Sequence, residues 1–269
     1  METIENQEIE NQDINDIVGM MNNVILTDTT LHKNNQIENI VNAMTDMISD
    51  MTLDENYEKY TDTSFSKLNF ENCYLPSTIF TSVCFDDCNF GMSKSGEIIA
   101  NNCSLFKINY NFITIPKITF TSSYLQDCSF DGFDGTIIIN SSVIEGGMID
   151  GQYAKTNFNS SVFNIFTFGR LLYNLTLTNC EFTDCDFNFS YLESPLFINC
   201  KFKDCSFDSI SCEDGYFDMC VFIECVFNNS IWINSIFSNC YFDTCEDLVP
   251  IMRSKLIGTK SSNGILELT

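Results

Sequence analysis

One apolar residue in every five, counted over long stretches, is the feature that most narrows what this chain can become. An α-helix returns to the same face every 3.6 residues and a strand every second residue, so a count of five belongs to neither alone. Phe65, Phe70, Leu75, Phe80, Phe85 and Phe90 stand in register, Ser95 and Ala100 fill two slots, and Leu105, Tyr110, Ile115, Phe120, Leu125 and Phe130 continue the row. Ile139, Ile144, Ile149 and Ala154 keep the count one residue out of phase, and Phe158, Phe163 and Phe168 shift it again. Leu172 opens the last run, through Leu177, Phe182, Phe187, Leu192, Phe197, Phe202, Phe207, Cys212, Phe217, Phe222, Phe227, Trp232, Phe237 and Phe242. A chain that turns a corner every five residues brings each fifth side chain to the centre of a face, pointing inward. Four faces close one coil, and stacked coils bury each other's rows. The 25 Phe, against 1 Trp and 4 Pro, fit a chain that buries the same side chain repeatedly.

The cysteines follow the same count. Cys73, Cys88, Cys103, Cys128, Cys180, Cys185, Cys200, Cys205, Cys220, Cys225, Cys240 and Cys245 each stand two residues before a central slot, which takes up twelve of the 14. The motifs FENCYLPSTIFTSVCFDDCNF at 70–90 and LTNCEFTDCDFNFSYLESPLFINCKFKDCSF at 177–207 make the chain similar to the pentapeptide-repeat proteins, as a Phe- and Cys-rich variant. That resemblance covers about two thirds of the chain. It implies an all-β fold, a right-handed quadrilateral parallel β-helix of about 20 residues per coil, with rungs about 4.8 Å apart. Its core would hold Phe70, Phe80, Phe90, Phe120, Phe130, Phe182, Phe187, Phe202, Phe207, Phe222, Phe227, Trp232, Phe237 and Phe242. The small inward position of the family falls on the cysteine row, so these thiols read as small buried hydrophobes near the coil corners. Residues twenty apart stack, which sets Cys180, Cys200, Cys220 and Cys240 in one column and Cys185, Cys205, Cys225 and Cys245 in a second. Structural zinc sites instead converge four ligands on one centre, so no metal is expected.

Three segments follow from the count. Residues 1–64 form an acidic N-terminal region that caps the first coil. Within it, Ile37, Ile40, Val41, Met44, Met47, Ile48 and Met51 recur at helical steps over 31–52. This predicts a small helical N-terminal region whose apolar face packs as a cap or, through Ile37, Val41, Met44 and Ile48, docks a partner. Residues 65–247 form about nine coils and a rod about 40 Å long. The count is disturbed at 91–100 (GMSKSGEIIA) and 131–138 (DGFDGTII), the places for bulges or small protruding loops. Residues 248–269 form a C-terminal cap or, as the resemblance implies, an end-to-end dimerisation segment.

The formal net charge is -24, from 37 acidic and 13 basic residues. Nucleic acid phosphates and anionic membranes repel such a surface, so direct nucleic acid binding and membrane insertion are not expected. The expected partner is a protein with a neutral or basic surface. No secretory apolar stretch follows Met1, and together with fourteen cysteines this points to a reducing, intracellular compartment. The single histidine, His32, provides no Cys/His nucleophile pair, and no Gly-rich phosphate loop occurs. Carboxylate pairs such as Asp86/Asp87 and Asp184/Asp186 flank inward positions and read as a solvated face. No catalytic residue, metal or cofactor is assigned. The reading is a non-enzymatic structural or protein-interaction scaffold that presents an acidic rod. The resemblance adds an alternative, a DNA-mimicking binder or inhibitor of a type II topoisomerase. Carbohydrate cleavage by paired carboxylates in a side groove is a third. The abundance of Asn is attributed to codon bias as much as to any physical need.

Overall fold

The computed structural model describes residues 57–151 and 155–262 and the backbone of 264–265. Among them the chain winds as a four-sided solenoid of short parallel strands. The rungs of face one begin at Glu58–Thr61 and continue through Thr78–Thr81 and Ile98–Asn101, eleven strands in one order, to Lys255–Ile257. Face two runs from Ser64–Ser66 to Lys260–Ser261. Face three is paired over Ser129–Asp131, Met148–Asp150 and Thr167–Phe168 and elsewhere by single bridges such as Asp186 to Ser206. Face four includes Tyr74–Leu75, Lys94–Ser95, Tyr191–Glu193, Ser211–Glu213 and Ile231–Ile233. Ten rung steps on face one correspond to about 48 Å. The ladder begins before Phe65 and continues past Asp247.

The central slots form the core. In face two, Phe163, Phe182, Phe202, Phe222 and Phe242 stack with ring centroids 4.8–4.9 Å apart and planes within 14°. That spacing is the β-ladder spacing itself, so in-register pairing and ring stacking reinforce one another. In face three, Phe168, Phe187, Phe207 and Phe227 do the same at 4.1, 4.8 and 5.1 Å. Rings on neighbouring faces meet edge to face, as Phe202 and Phe207 do at 5.5 Å. Phe90, Phe120, Phe130 and the expected core residues from Phe182 to Phe242 are buried, Trp232 among them, while Phe70 and Phe80 near the first rung are half-buried.

The corners explain two compositional features. Thirty non-glycine residues have positive φ, nearly all two positions after a central slot; Asn and Asp make up half of them and Ser six more. Short polar side chains tolerate this left-handed region best. The richness in Asn therefore has a structural use at the corners, beside any effect of genome composition. The slot two before each centre needs a small donor. Cys103 Sγ donates to Asn101 O and Phe80 O at 3.4 and 3.6 Å, Ser123 Oγ to Thr121 O and Ala100 O at 3.0 and 3.3 Å, and Thr259 Oγ1 to Ile257 O and Phe237 O at 3.4 and 2.8 Å. Each bridges its own coil to the coil before, so Cys, Ser and Thr interchange there.

Of the bulges or small protruding loops expected at 91–100 and 131–138, the second segment holds a register shift and both stay in the ladder. Residues 91–100 continue the ladder, with Ser93, Ser95, Ile98 and Ala100 buried. At 131–138 the coil loses a residue: Thr114 pairs with Asp134, but Lys117 pairs with Thr136. Gly135 makes the shortcut, at φ 144°, where a Cβ would lie 1.7 Å from Ile115 O. A second slip lies between Lys155 and Asn157. Measured between face-one centres, three successive coils are nineteen residues long: Phe120 pairs with Ile139, Ile139 with Phe158 and Phe158 with Leu177.

The α-helix among the described residues is near the C-terminus. It is a single turn, Val249–Met252, with Pro250 in its start and Ile251 buried. It stands where the next face-four rung would follow Ile231–Ile233, and the chain then rejoins face one at Lys255. The last face-two rung, Lys260–Ser261, is covered by an antiparallel strand, Gly264–Ile265, which occupies an edge that would otherwise expose its backbone. Residues 31–52, with Ile37, Val41, Met44 and Ile48, lie outside the described residues.

Candidate interaction surface

Because every strand alternates inward and outward, the residues on either side of each central slot and the left-handed residue at each corner make up the surface. The solenoid converts their order in the sequence into columns about 4.8 Å apart. Residues 57–262 carry 24 carboxylates and 12 basic side chains. Sixteen of these carboxylates fall on face two, face three and the corner between them, with five lysines.

That corner changes character along the solenoid. In the first coils its left-handed column reads Lys67, Asp87, Lys107, Asp127, so neighbours on successive coils carry opposite charge. In the C-terminal half the column reads Asp184, Asp204, Glu224, all exposed. Like charges directly opposite on adjacent strands destabilise a sheet, so this half of the edge holds its charge against the ladder's preference. Lys203 approaches Asp204 at 2.9 Å and holds its carboxyl below the ordinary value. Beside this column, on face three, Asp186 Oδ1 accepts the Asn188 N–H at 2.8 Å, and Asn188 Oδ1 accepts the Asp208 N–H at 2.8 Å. The acidic row is thereby tied from coil to coil through backbone and amide groups. Sequence reading singled out Asp184 and Asp186 as a solvated pair; the rule that residues twenty apart stack, applied there to the cysteines, also sets Asp204 and Glu224 in one column with Asp184.

Of the predicted cysteine row, Cys73 and Cys245 are half-buried and the other ten are buried; all fourteen cysteines are free thiols. The register stacks Cys180, Cys200, Cys220 and Cys240 along the corner between faces one and two, and Cys185, Cys205, Cys225 and Cys245 along the next. The neighbouring thiols and burial push Cys200, Cys205 and Cys225 up to about 12, and burial with the nearby Asp127 carboxylate does so for Cys128. Such thiols are neutral and inert at neutral pH. Among the described residues no group of three or more His, Cys, Asp or Glu is arranged to hold a metal ion, and no helix is long and apolar enough to cross a membrane.

No family model matches the chain, and no curated protein matches it. Among solved structures it is similar to QnrB1, a plasmid-mediated fluoroquinolone resistance protein, at 13% identity and a TM-score of 0.42, over 76% of this chain and 94% of that one. It is also similar to HetL, a pentapeptide repeat protein involved in heterocyst differentiation regulation from the cyanobacterium Nostoc, at 8% identity and a TM-score of 0.24, over 84% of this chain and 92% of that one. The four-sided coil, the five-residue slot and the parallel in-register ladder make the chain a pentapeptide-repeat-like β-solenoid.

Proposed function

We propose that the chain is a non-enzymatic protein-binding scaffold whose C-terminal anionic edge engages a basic protein surface. The observation that carries this reading is the Asp184, Asp204, Glu224 column, where three like charges stack although the same corner alternates sign in the first coils. Ordered carboxylates on a stiff body offer a complementary field to a partner lined with Lys and Arg. They act chiefly on association rate and choice of partner.

Within this reading, a protein groove that ordinarily receives the DNA backbone is one such surface, and a type II topoisomerase is its sharpest form. Supporting it are the sign of the charge and the length of a rod that exposes carboxylates along one edge. The test is a supercoiling and relaxation assay with a purified type II topoisomerase, run beside a direct binding measurement at 50 and 200 mM salt. Inhibition by the native chain that is lost on combining Asp184→Asn, Asp204→Asn and Glu224→Gln supports mimicry. Salt-sensitive binding to basic proteins without any effect on the topoisomerase leaves the scaffold reading and removes mimicry. Equal behaviour of the native and neutralised chains in both assays refutes the anionic edge as the binding surface.

A further inference from the structure

On the side of the solenoid away from the anionic edge, the middle rungs of face one carry charge only at the margin toward face four, in Glu97, Lys117 and Lys155. On seven successive rungs of face one, from Thr78–Thr81 to Leu196–Ile198, neither residue flanking the central slot is ionisable. The column before the central slot contains Ile79, Ile99, Ile138 and Leu196, and the column after it is Thr or Asn from Thr81 to Thr178 before ending at Ile198. The left-handed corner toward face two adds only Ser and Asn over the same coils, from Ser82 to Asn199. The Ser and Asn of the corner are explained by their positive φ. The strand columns are not, because the same outward positions on face two take Glu181, Lys201 and Lys203. Nothing in the ladder therefore excludes charge from these flanking columns, yet over seven rungs a chain of net charge -24 keeps it out of them.

We propose that face one is a self-association surface, on which a second copy of this chain packs sheet to sheet. Electrostatics selects the occupant. Two strongly acidic copies repel wherever carboxylates are apposed, and among the described faces this is the broad one on which they can meet without bringing carboxylates together. Its size is adequate: seven rungs with three outward residues each fall within the roughly 20–30 residues a side of a standard protein interface. Its shape suits aligned sheet packing, with the Ile and Leu column interdigitating against its counterpart about 10 Å away. Paired in this way, the two copies would turn face three outward on both sides, leaving both anionic edges available.

The proposal has a consequence in salt. Association across a neutral face is opposed only by the overall repulsion of the two copies, which added salt screens as the Debye length falls from about 10 Å at 0.1 M to about 3 Å at 1 M. Analytical ultracentrifugation of the full chain should show a mass of two chains, with dissociation weakening as salt rises. An interface built on ion pairs would loosen instead. Ile99→Lys combined with Ile138→Lys should raise the dimer dissociation constant at least tenfold. Thr121→Lys with Asn140→Lys provides a second variant on the other column. Ile231→Lys with Ile233→Lys, at exposed positions on face four, should leave the dimer intact. Circular dichroism establishes that each variant is folded, and Lys at Lys201 and Lys203 shows that an outward strand position accepts it. A native chain that remains monomeric at both salt concentrations overturns the proposal. So does a dimer that survives both folded face-one variants, which would place association elsewhere, such as the solenoid end. Binding to a basic partner is measured separately and does not enter this outcome.

Discussion

Replacing Phe202 with Ala probes whether the stacked phenylalanines hold the solenoid together as a nearest-neighbour array. Phe202 is completely buried. It stacks on Phe182 at 4.8 Å and on Phe222 at 4.9 Å, and meets Phe187 and Phe207 edge to face at 6.1 and 5.5 Å. Truncating a buried Phe to Ala costs about 3–5 kcal/mol through lost transfer energy and the cavity left behind. The ladder holds the neighbouring rungs at fixed spacing, which limits collapse of that cavity and sets the cost at the upper end, about 5 kcal/mol. Phe242 is the comparison. It stacks on Phe222 at 4.8 Å, but its other ladder neighbour is Ser261. With one stacked pair fewer, Phe242→Ala should cost about 1 kcal/mol less than Phe202→Ala. Urea unfolding followed by far-UV circular dichroism reads both. Because each coil contacts only its neighbours, the interior lesion should also separate the transition of the last coils from that of the rest. A loss below about 2 kcal/mol for Phe202→Ala, or a loss no larger than that of Phe242→Ala, would refute the argument that stacking on both sides carries the core.

Two further predictions follow from the corners. The thiols raised to about 12 in the folded chain, Cys128, Cys200, Cys205, Cys212 and Cys225, have an ordinary value of 9.0 when unfolded. Their stabilising contribution is complete below pH 9 and is lost as pH rises through 9 toward 12, because only the unfolded chain releases those protons. Melting temperature should therefore fall steeply above pH 9, and replacing Cys200 and Cys205 with Ser should flatten that fall. A melting temperature constant from pH 8 to 10.5 would contradict it. Gly135→Ala should destabilise by about 1–3 kcal/mol or shift the register, since the added methyl meets Ile115 O at a backbone conformation that side chains rarely adopt. Denaturant unfolding checks this, and a neutral outcome would mean that the shortened coil is not held there.

The repeat was legible before any coordinates because a single physical demand, one large side chain per face, recurs at fixed spacing in Phe182, Phe187, Phe202 and Phe207. The same count located the cysteine row, since a small donor is needed two residues before each centre. It failed where the demand was met by backbone geometry. The sequence DGFDGTII broke the count and suggested a bulge or a small protruding loop; a register shift is there, and Gly135 lets the coil close one residue early and stay in the wall. The physical need for Asn, left open beside genome composition, could not be named from the pattern, because tolerance of positive φ at the corner is a property of dihedral angles and not of hydrophobic pattern.

By itself, the sequence determined the period, the four-sided coil and the identity of the inward residues, because burial acts on each side chain through its position in a five-residue unit. Only the tertiary structure decided which surface residues meet where the coils depart from twenty residues. Asp184, Asp204 and Glu224 are twenty apart, whereas the neutral columns of face one pass through coils of nineteen and of twenty residues. One missing residue in a coil moves every later side chain by one position relative to a uniform count, and the ladder restores the alignment by pairing backbones. Charge and polarity at the surface depend on neighbours a few ångströms apart, and those neighbours are assigned by the register.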